Sequence, residues 1–179
     1  MLFDSHAHIN EASYSPEERA ELIRTIEASD VDYVADIGYD LASSKLAVEH
    51  AAQYPWCYAV VGCHPHDAKS MDDMELAMYK GLARKKKVVA IGEIGLDFHY
   101  DHSPRDIQRE WFRRQIRLAN QLKMPIVIHS READQETMDI LKEEGAFSEE
   151  RKSWFPKRPD PSGYTLKKSD AAKKINISK

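Results

Sequence analysis

No apolar run in this sequence approaches the ~20 residues that a membrane helix needs, so no membrane partner is expected. Cysteine is nearly absent. Cys57 and Cys63 each sit in or beside an apolar run, and they form no C-x-x-C pair. That usage suggests a reduced interior and not a disulfide scaffold. An excess of positive charge is missing as well. With 26 Lys and Arg against 30 Asp and Glu, the formal charge is −4, and no global field gathers polyanions. Any binding of nucleic acid would rest on local cations or bound metal. No Gly-rich dinucleotide or phosphate loop follows any strand pattern. Met1 runs straight into the first strand, leaving no room for a signal peptide. A soluble, cytoplasmic protein is the expectation, and 179 residues suffice for one domain with a core.

What is present is alternation. Leu2 to Ser5 reads as a strand. Ser15-Pro16-Glu17-Glu18 then reads as a helix start, with Ser15 as N-cap, Pro16 in the first turn and Glu18 completing a capping box. Val31 to Ile37 is a second strand, and 41–54 a second helix. Tyr58 to Val61 is a third strand, whose unbroken apolar character predicts burial on both faces. A weaker helix over 72–85 ends in Lys85-Lys86-Lys87, which suits a helix C-terminus. Val88 to Glu93 is the fourth strand. Ser103-Pro104 opens the strongest helix, with a stripe of Ile107, Trp111, Leu118 and Leu122. Pro125 to Ile128 is the fifth strand, and a last helix runs from 132 to 144, with Gly145 placed as a C-cap.

Strand-helix alternation means a parallel sheet with helical crossovers. An open doubly wound sheet and a (β/α)8 TIM-type barrel both fit. The polar residues favour the barrel, because they fall repeatedly at C-terminal strand ends. His6 and His8 close strand one, Asp36 strand two, His64 and His66 strand three, Glu93 strand four, and His129 with Arg131 strand five. In a barrel these ends converge on one mouth.

The chemistry follows from residue types. Residues i and i+2 of a strand point the same way, so the imidazoles of His6 and His8 can reach one ion. Glu93 has two carboxylate oxygens and could bridge two cations, an arrangement suited to phosphoryl transfer. Arg131 offers a planar fork for phosphate oxygens. Asp97 and Arg131 could instead pair with each other across the mouth. Gly92 before Glu93 points to close approach of something to the backbone. Asp36 reads as a hydrogen-bonding residue, and His66, His99 and His102 receive no role.

Four segments, D-S-H-A-H at 4–8, G-C-H-P at 62–65, G-E-I-G-L-D at 92–97 and I-H-S-R at 128–131, together resemble the TatD family. These are metal-dependent deoxyribonucleases of the amidohydrolase-like barrel superfamily. The resemblance implies that His6 and His8 hold one metal and that Glu93 bridges and is central to catalysis. It also implies that His129 serves a second metal and that His64 lines the substrate cleft; the fork of Arg131 makes it the other substrate-binding candidate. Two divalent ions (Mg, Mn or Zn) are implied as cofactors, and DNA as substrate. A carbamylated Lys often stands where Glu93 does in cyclic amidohydrolases, which disfavours an amidohydrolase acting on another ester or amide. A non-catalytic, self-associating half-barrel is the third class.

The resemblance covers residues 1–147, a partial barrel of about five strand-helix units, where a full one takes about 200–250 residues. No His follows His129, whereas the family would supply a further metal-binding His and a late Asp. Truncation by a frameshift near Tyr164 is the expected account, implying a weakly active or inactive chain that associates through its strand edges. Residues 148–179 form a basic, Pro-containing tail, with nine Lys and Arg against four Asp and Glu, and disorder is expected there.

Overall fold

The computed structural model describes residues 1–155. Its strands are β1 (Leu2–Ala7), β2 (Val31–Ile37), β3 (Cys57–Val61), β4 (Val88–Asp97) and β5 (Ile126–Arg131). Its α-helices are α1 (Pro16–Ala28), α2 (Leu41–Gln53), α3 (Asp73–Leu82), α4 (Arg105–Leu122), α5 (Asp134–Glu143) and α6 (Glu149–Ser153). All neighbouring strands are parallel, and their order in the sheet is their order in the chain. A helix links each strand to the next, and the sheet curls into half of a barrel. The C-terminal ends of all five strands therefore lie along one rim, as the placement of the polar residues predicts.

Local chemistry explains the helix starts. The Ser15 hydroxyl accepts from the Glu18 N–H at 3.2 Å, and the Glu18 carboxylate accepts from the Ser15 N–H at 2.8 Å. Asp40 and Ser43 make the same reciprocal box for α2. Each box satisfies backbone donors that the first turn would leave bare.

The main core fills the space between β3 and β4 and the helices outside them. Val61, Ile91, Ile94 and Leu96 meet Trp111, Phe112, Ile116 and Ile140 there. A smaller cluster of Ala35, Ile37, Val60, Ala90 and Val127 lies apart from it, with Phe3 and Val89 against its edge. Val60 is fully buried in that cluster.

Three features differ from the sequence reading. Strand four does not stop at Glu93 but runs on to Asp97, pairing Gly95 with His129 and Asp97 with Arg131. Two glycines in this stretch give it little intrinsic strand character, but they admit close neighbours. A Cβ on Gly92 would sit 2.6 Å from the Val127 Cβ, and one on Gly95 would sit 1.8 Å from the His129 carbonyl oxygen. The close approach expected at Gly92 is thus β5 itself. The 85–87 lysines lie beyond the end of α3, and Lys87 serves a different helix. Its ammonium donates to the carbonyls of Ala51 and Tyr54, at the end of α2. Finally, the expected boundary at residue 147 has helical chain beyond it. Ser148 caps α6, and the buried Arg151 guanidinium donates to the Asn120 side chain and the Met124 carbonyl. The remainder of the expected tail lies outside the described residues.

Candidate metal centre

β1 delivers its two imidazoles to one place. The Nε2 atoms of His6 and His8 lie 3.3 Å apart, as their spacing by two along an extended segment requires. His8 is fixed from behind, because its Nδ1 donates to the Ile37 carbonyl at 2.8 Å. That bond leaves the Nε2 lone pair free, the arrangement usual for a ligating histidine. The turn that follows is held by Asp36, which accepts the N–H groups of Ile9 and Asn10 and is itself met by His50 Nδ1 at 2.7 Å. Asp36 is a hydrogen-bonding residue, as read from the sequence, but a fully buried one. Its partner His50 comes from α2 and carried no signal in the sequence.

β4 places Glu93 between two groups of histidines. One carboxylate oxygen, Oε2, lies 3.4 Å from His6 Nε2 and 3.9 Å from His8 Nε2. The other, Oε1, lies 3.3 Å from His129 Nδ1 on β5. Two sets of three potential ligands result, His6-His8-Glu93 and His64-Glu93-His129, and in each the ligand atoms lie within 4.8 Å of one another. Mixed imidazole and carboxylate donors suit Zn, Mn and related divalent ions. The residues present therefore fit a pair of cations sharing Glu93.

The electrostatics agree with this geometry. Burial opposes ionisation of Glu93, but hydrogen bonds from His129 and His6 outweigh it and hold the carboxyl well below the usual range. The hydrogen bond to Glu93 raises the pKa of His6. For His129, burial works the other way, yet bonds to Glu93 and Asp97 leave its pKa raised. The ionised Glu93 carboxylate is in the charge state a cation needs, whereas a cation at His6 or His129 has to compete with a proton that their raised pKa values favour.

His129 is also anchored. Its Nε2 meets the Asp97 carboxylate at 3.0 Å, and the same Oδ2 takes His66 Nε2 at 2.8 Å. The other Asp97 oxygen accepts the N–H groups of His99 and Tyr100. Asp97 is therefore directed at two histidines and not at Arg131, although the two residues are paired in register. Arg131 is exposed, with its guanidinium 4.6 Å from the centroid of the Tyr100 ring.

His64 comes closer to the centre than a remote cleft residue would. Its ring lies 4.2 Å from that of His129, edge to face. Burial, reinforced by the neighbouring His129, pushes its pKa down to about 3, so the ring is neutral. Its Nδ1 accepts from the His66 N–H at 3.2 Å. A neutral imidazole that accepts at Nδ1 carries its proton on Nε2 and can donate there.

The structure thus brings together His6, His8, Glu93, His129 and His64, and sets Arg131 to one side. His66 and Asp97 are the residues whose connection the sequence reading missed. The H-P-H spacing at 64–66 repeats the H-A-H spacing at 6–8, and that repetition was the available signal.

A family model described as TatD related DNase matches residues 3–152. A metal-dependent hydrolase named YabD from Bacillus subtilis is 46% identical over 146 residues, covering 82% of this chain and 57% of that protein. A protein named 3'-5' ssDNA/RNA exonuclease TatD from Cronobacter turicensis is 35% identical over 140 residues, covering 78% of this chain and 53% of its own length. Among solved structures, YJJV, a TatD homolog from Escherichia coli, superposes with a TM-score of 0.71 at 28% identity, covering 80% of this chain and 56% of that one. The chain spans just over half the length of the relatives it matches.

Proposed function

Because the chain belongs to the TatD-related DNase family, a family of metal-dependent hydrolases and nucleases, we propose that it is built to hydrolyse phosphodiester bonds of DNA with divalent ions. The observation that carries this reading is the division of Glu93, one oxygen toward His6 and His8 and the other toward His129. A carboxylate so placed can serve two cations at once. Divalent ions bound there supply Lewis acidity at a phosphoryl oxygen and lower the pKa of water.

In this reading His6 and His8 would hold one ion, His129 the other, and Glu93 would contribute to both. Asp97 keeps the His129 ring turned so that Nδ1 faces Glu93. His64, neutral and carrying its proton on Nε2, donates to a non-bridging phosphate oxygen. It can do this throughout the physiological range, because burial keeps it from charging. Arg131 binds a flanking phosphate through its fork. A second role for His64, as ligand beside His129, is favoured by its place in the second ligand set. The proton on Nε2 favours donation.

The test is cleavage of a 5'-labelled single-stranded oligonucleotide by the purified chain with Mn or Mg, set beside small cyclic amides. Chelator-sensitive release of nucleotides supports the proposal. Turnover of the amides with none of DNA would place the chain among the other amidohydrolase-like enzymes. Neither activity, with ions bound, would leave a non-catalytic association module.

A further inference from the structure

Three consecutive carbonyls, at and just beyond the end of β2, each hold a different residue of the metal centre. Ile37 accepts from His8 Nδ1 at 2.8 Å, Gly38 from the Glu93 N–H at 2.9 Å, and Tyr39 from the His64 N–H at 2.7 Å. These partners lie in or just after β1, β4 and β3 respectively. The bond to Glu93 skips a strand. β3 stands between β2 and β4 in the sheet, and the bond passes beyond its end at Val61. The bond to His8 turns its ring, while those to Glu93 and His64 fix where each side chain starts. His8 and Glu93 are two of the three members of one ligand set, and His64 and Glu93 two of the three of the other.

The segment is itself held from behind. The Gly38 N–H donates to the Val60 carbonyl at 2.9 Å. The Ser43 hydroxyl, in the first turn of α2, accepts from the Tyr39 and Asp40 N–H groups at 2.9 and 3.0 Å. The Ile37 carbonyl takes a second donor at 2.9 Å, the side chain of the buried Asn10. Gly38 leaves no room for a side chain. A Cβ there would sit 2.2 Å from Ser44 Oγ and 2.7 Å from Ser44 Cα, and Ser44 is fully buried on α2. Peptide units are planar and share their Cα atoms, so the chain cannot yield at Gly38 without moving the neighbouring carbonyls too.

We propose that Ile37, Gly38 and Tyr39 are positioning residues for both ions. Their carbonyls set His8, Glu93 and His64 relative to one another, and α2, packed on Gly38, sets the carbonyls. This deepens the two-ion phosphodiesterase reading and rests on it. Its consequence is that the two ion sites are coupled through one short stretch of backbone. A displacement of that stretch weakens both sites together, whereas loss of His6 and His8 strikes one set.

The test uses the 179-residue chain with Mn and Co as probe ions. Gly38→Ala drives a methyl group against Ser44 and displaces the segment. Ser43→Ala releases the Tyr39 N–H without adding an atom. Ile140→Val, in the core on α5, is the control for lost stability. Calorimetry with Mn should find the affinity for both ions lowered about tenfold or more in Gly38→Ala, and lowered by a smaller factor for both in Ser43→Ala. The visible spectrum of the Co-loaded chain, which follows ligand geometry, should change in both variants. Ile140→Val should lose resistance to urea and keep the wild-type affinities and spectrum. Should Gly38→Ala not fold, Ser43→Ala alone carries the same two readouts. Unchanged affinities and spectrum in the folded variants would overturn the positioning role and leave the phosphodiesterase reading standing. Equal losses in Ile140→Val would do the same, showing the segment to be merely structural. A loss confined to one ion would overturn the coupling, because the carbonyls would then act separately. A wild-type chain that holds no ion would overturn the phosphodiesterase reading, and the positioning role with it.

Discussion

His8 and His129 each use one ring nitrogen for an anchor and present the other to Glu93. His8 leans on a backbone carbonyl and His129 on the Asp97 carboxylate. Removing both His6 and His8 as His6→Ala/His8→Ala should therefore sharply weaken Mn or Zn binding, read by calorimetry, and undiminished affinity would remove them as ligands. Asp97→Asn tests the anchor. It keeps an oxygen but loses the charge that holds two histidines, and it should weaken ion binding about 10–100-fold. Unchanged affinity would make Asp97 a bystander. The His6–His8 pair was legible in the sequence because both lie on one strand, where spacing alone fixes direction. The bonds from Asp97 to His66 and His129 were not legible. They depend on which residue of β4 lies beside which of β5, and no single strand carries that register.

Between elements, the closest fit is that of β4 to β5. A methyl group at position 95 would meet the His129 carbonyl oxygen, and the glycine there also has φ +153°. Gly95→Ala should destabilise the fold by about 3 kcal/mol and shift His129 from the centre, seen as lower urea resistance together with weaker ion binding. Stability within about 0.5 kcal/mol of wild type would show that the strands can part cheaply. The seam between α4 and α5 is polar. Glu144 accepts from Arg117 at 2.7 Å through both oxygens and from Arg113 at 3.2 Å. The bond from Arg117 is the largest influence holding its carboxyl below the ordinary 4.5. Its folded pKa is lowered, so its contribution is complete above that ordinary value and disappears as the pH falls through the folded one. Glu144→Gln should cost about 1–2 kcal/mol at pH 7, with the gap closing in acid. A gap independent of pH would contradict the role assigned to its charge. The strand pattern before Glu93 was plain in the sequence, whereas the continuation through Gly95 was hidden, because its stability comes from the neighbouring strand and not from its own residues.

For the whole molecule, five alternations sufficed to read a parallel sheet, and polar residues at every strand end sufficed to favour a barrel over an open sheet. The helix beyond residue 147 was obscured by a basic, proline-containing composition, and it forms because Arg151 finds partners on and just beyond α4. Among the described residues, β1 and β5 each have one unpaired edge, and Leu2 is 57% exposed on the first of them. Open edges are templates for further pairing. The chain should therefore sediment as concentration-dependent oligomers, and Leu2→Lys should shift it toward monomer. A monomer at all concentrations would show that the edges are otherwise protected. The number of ions the molecule holds tests its central arrangement most directly. Metal counting by native mass spectrometry at saturating Zn or Mn should find two ions per wild-type chain. Glu93→Gln, which offers one neutral oxygen in place of two charged ones, should reduce the count to one or none. Two ions retained by the folded Glu93→Gln chain would contradict the assignment of Glu93 as the bridge.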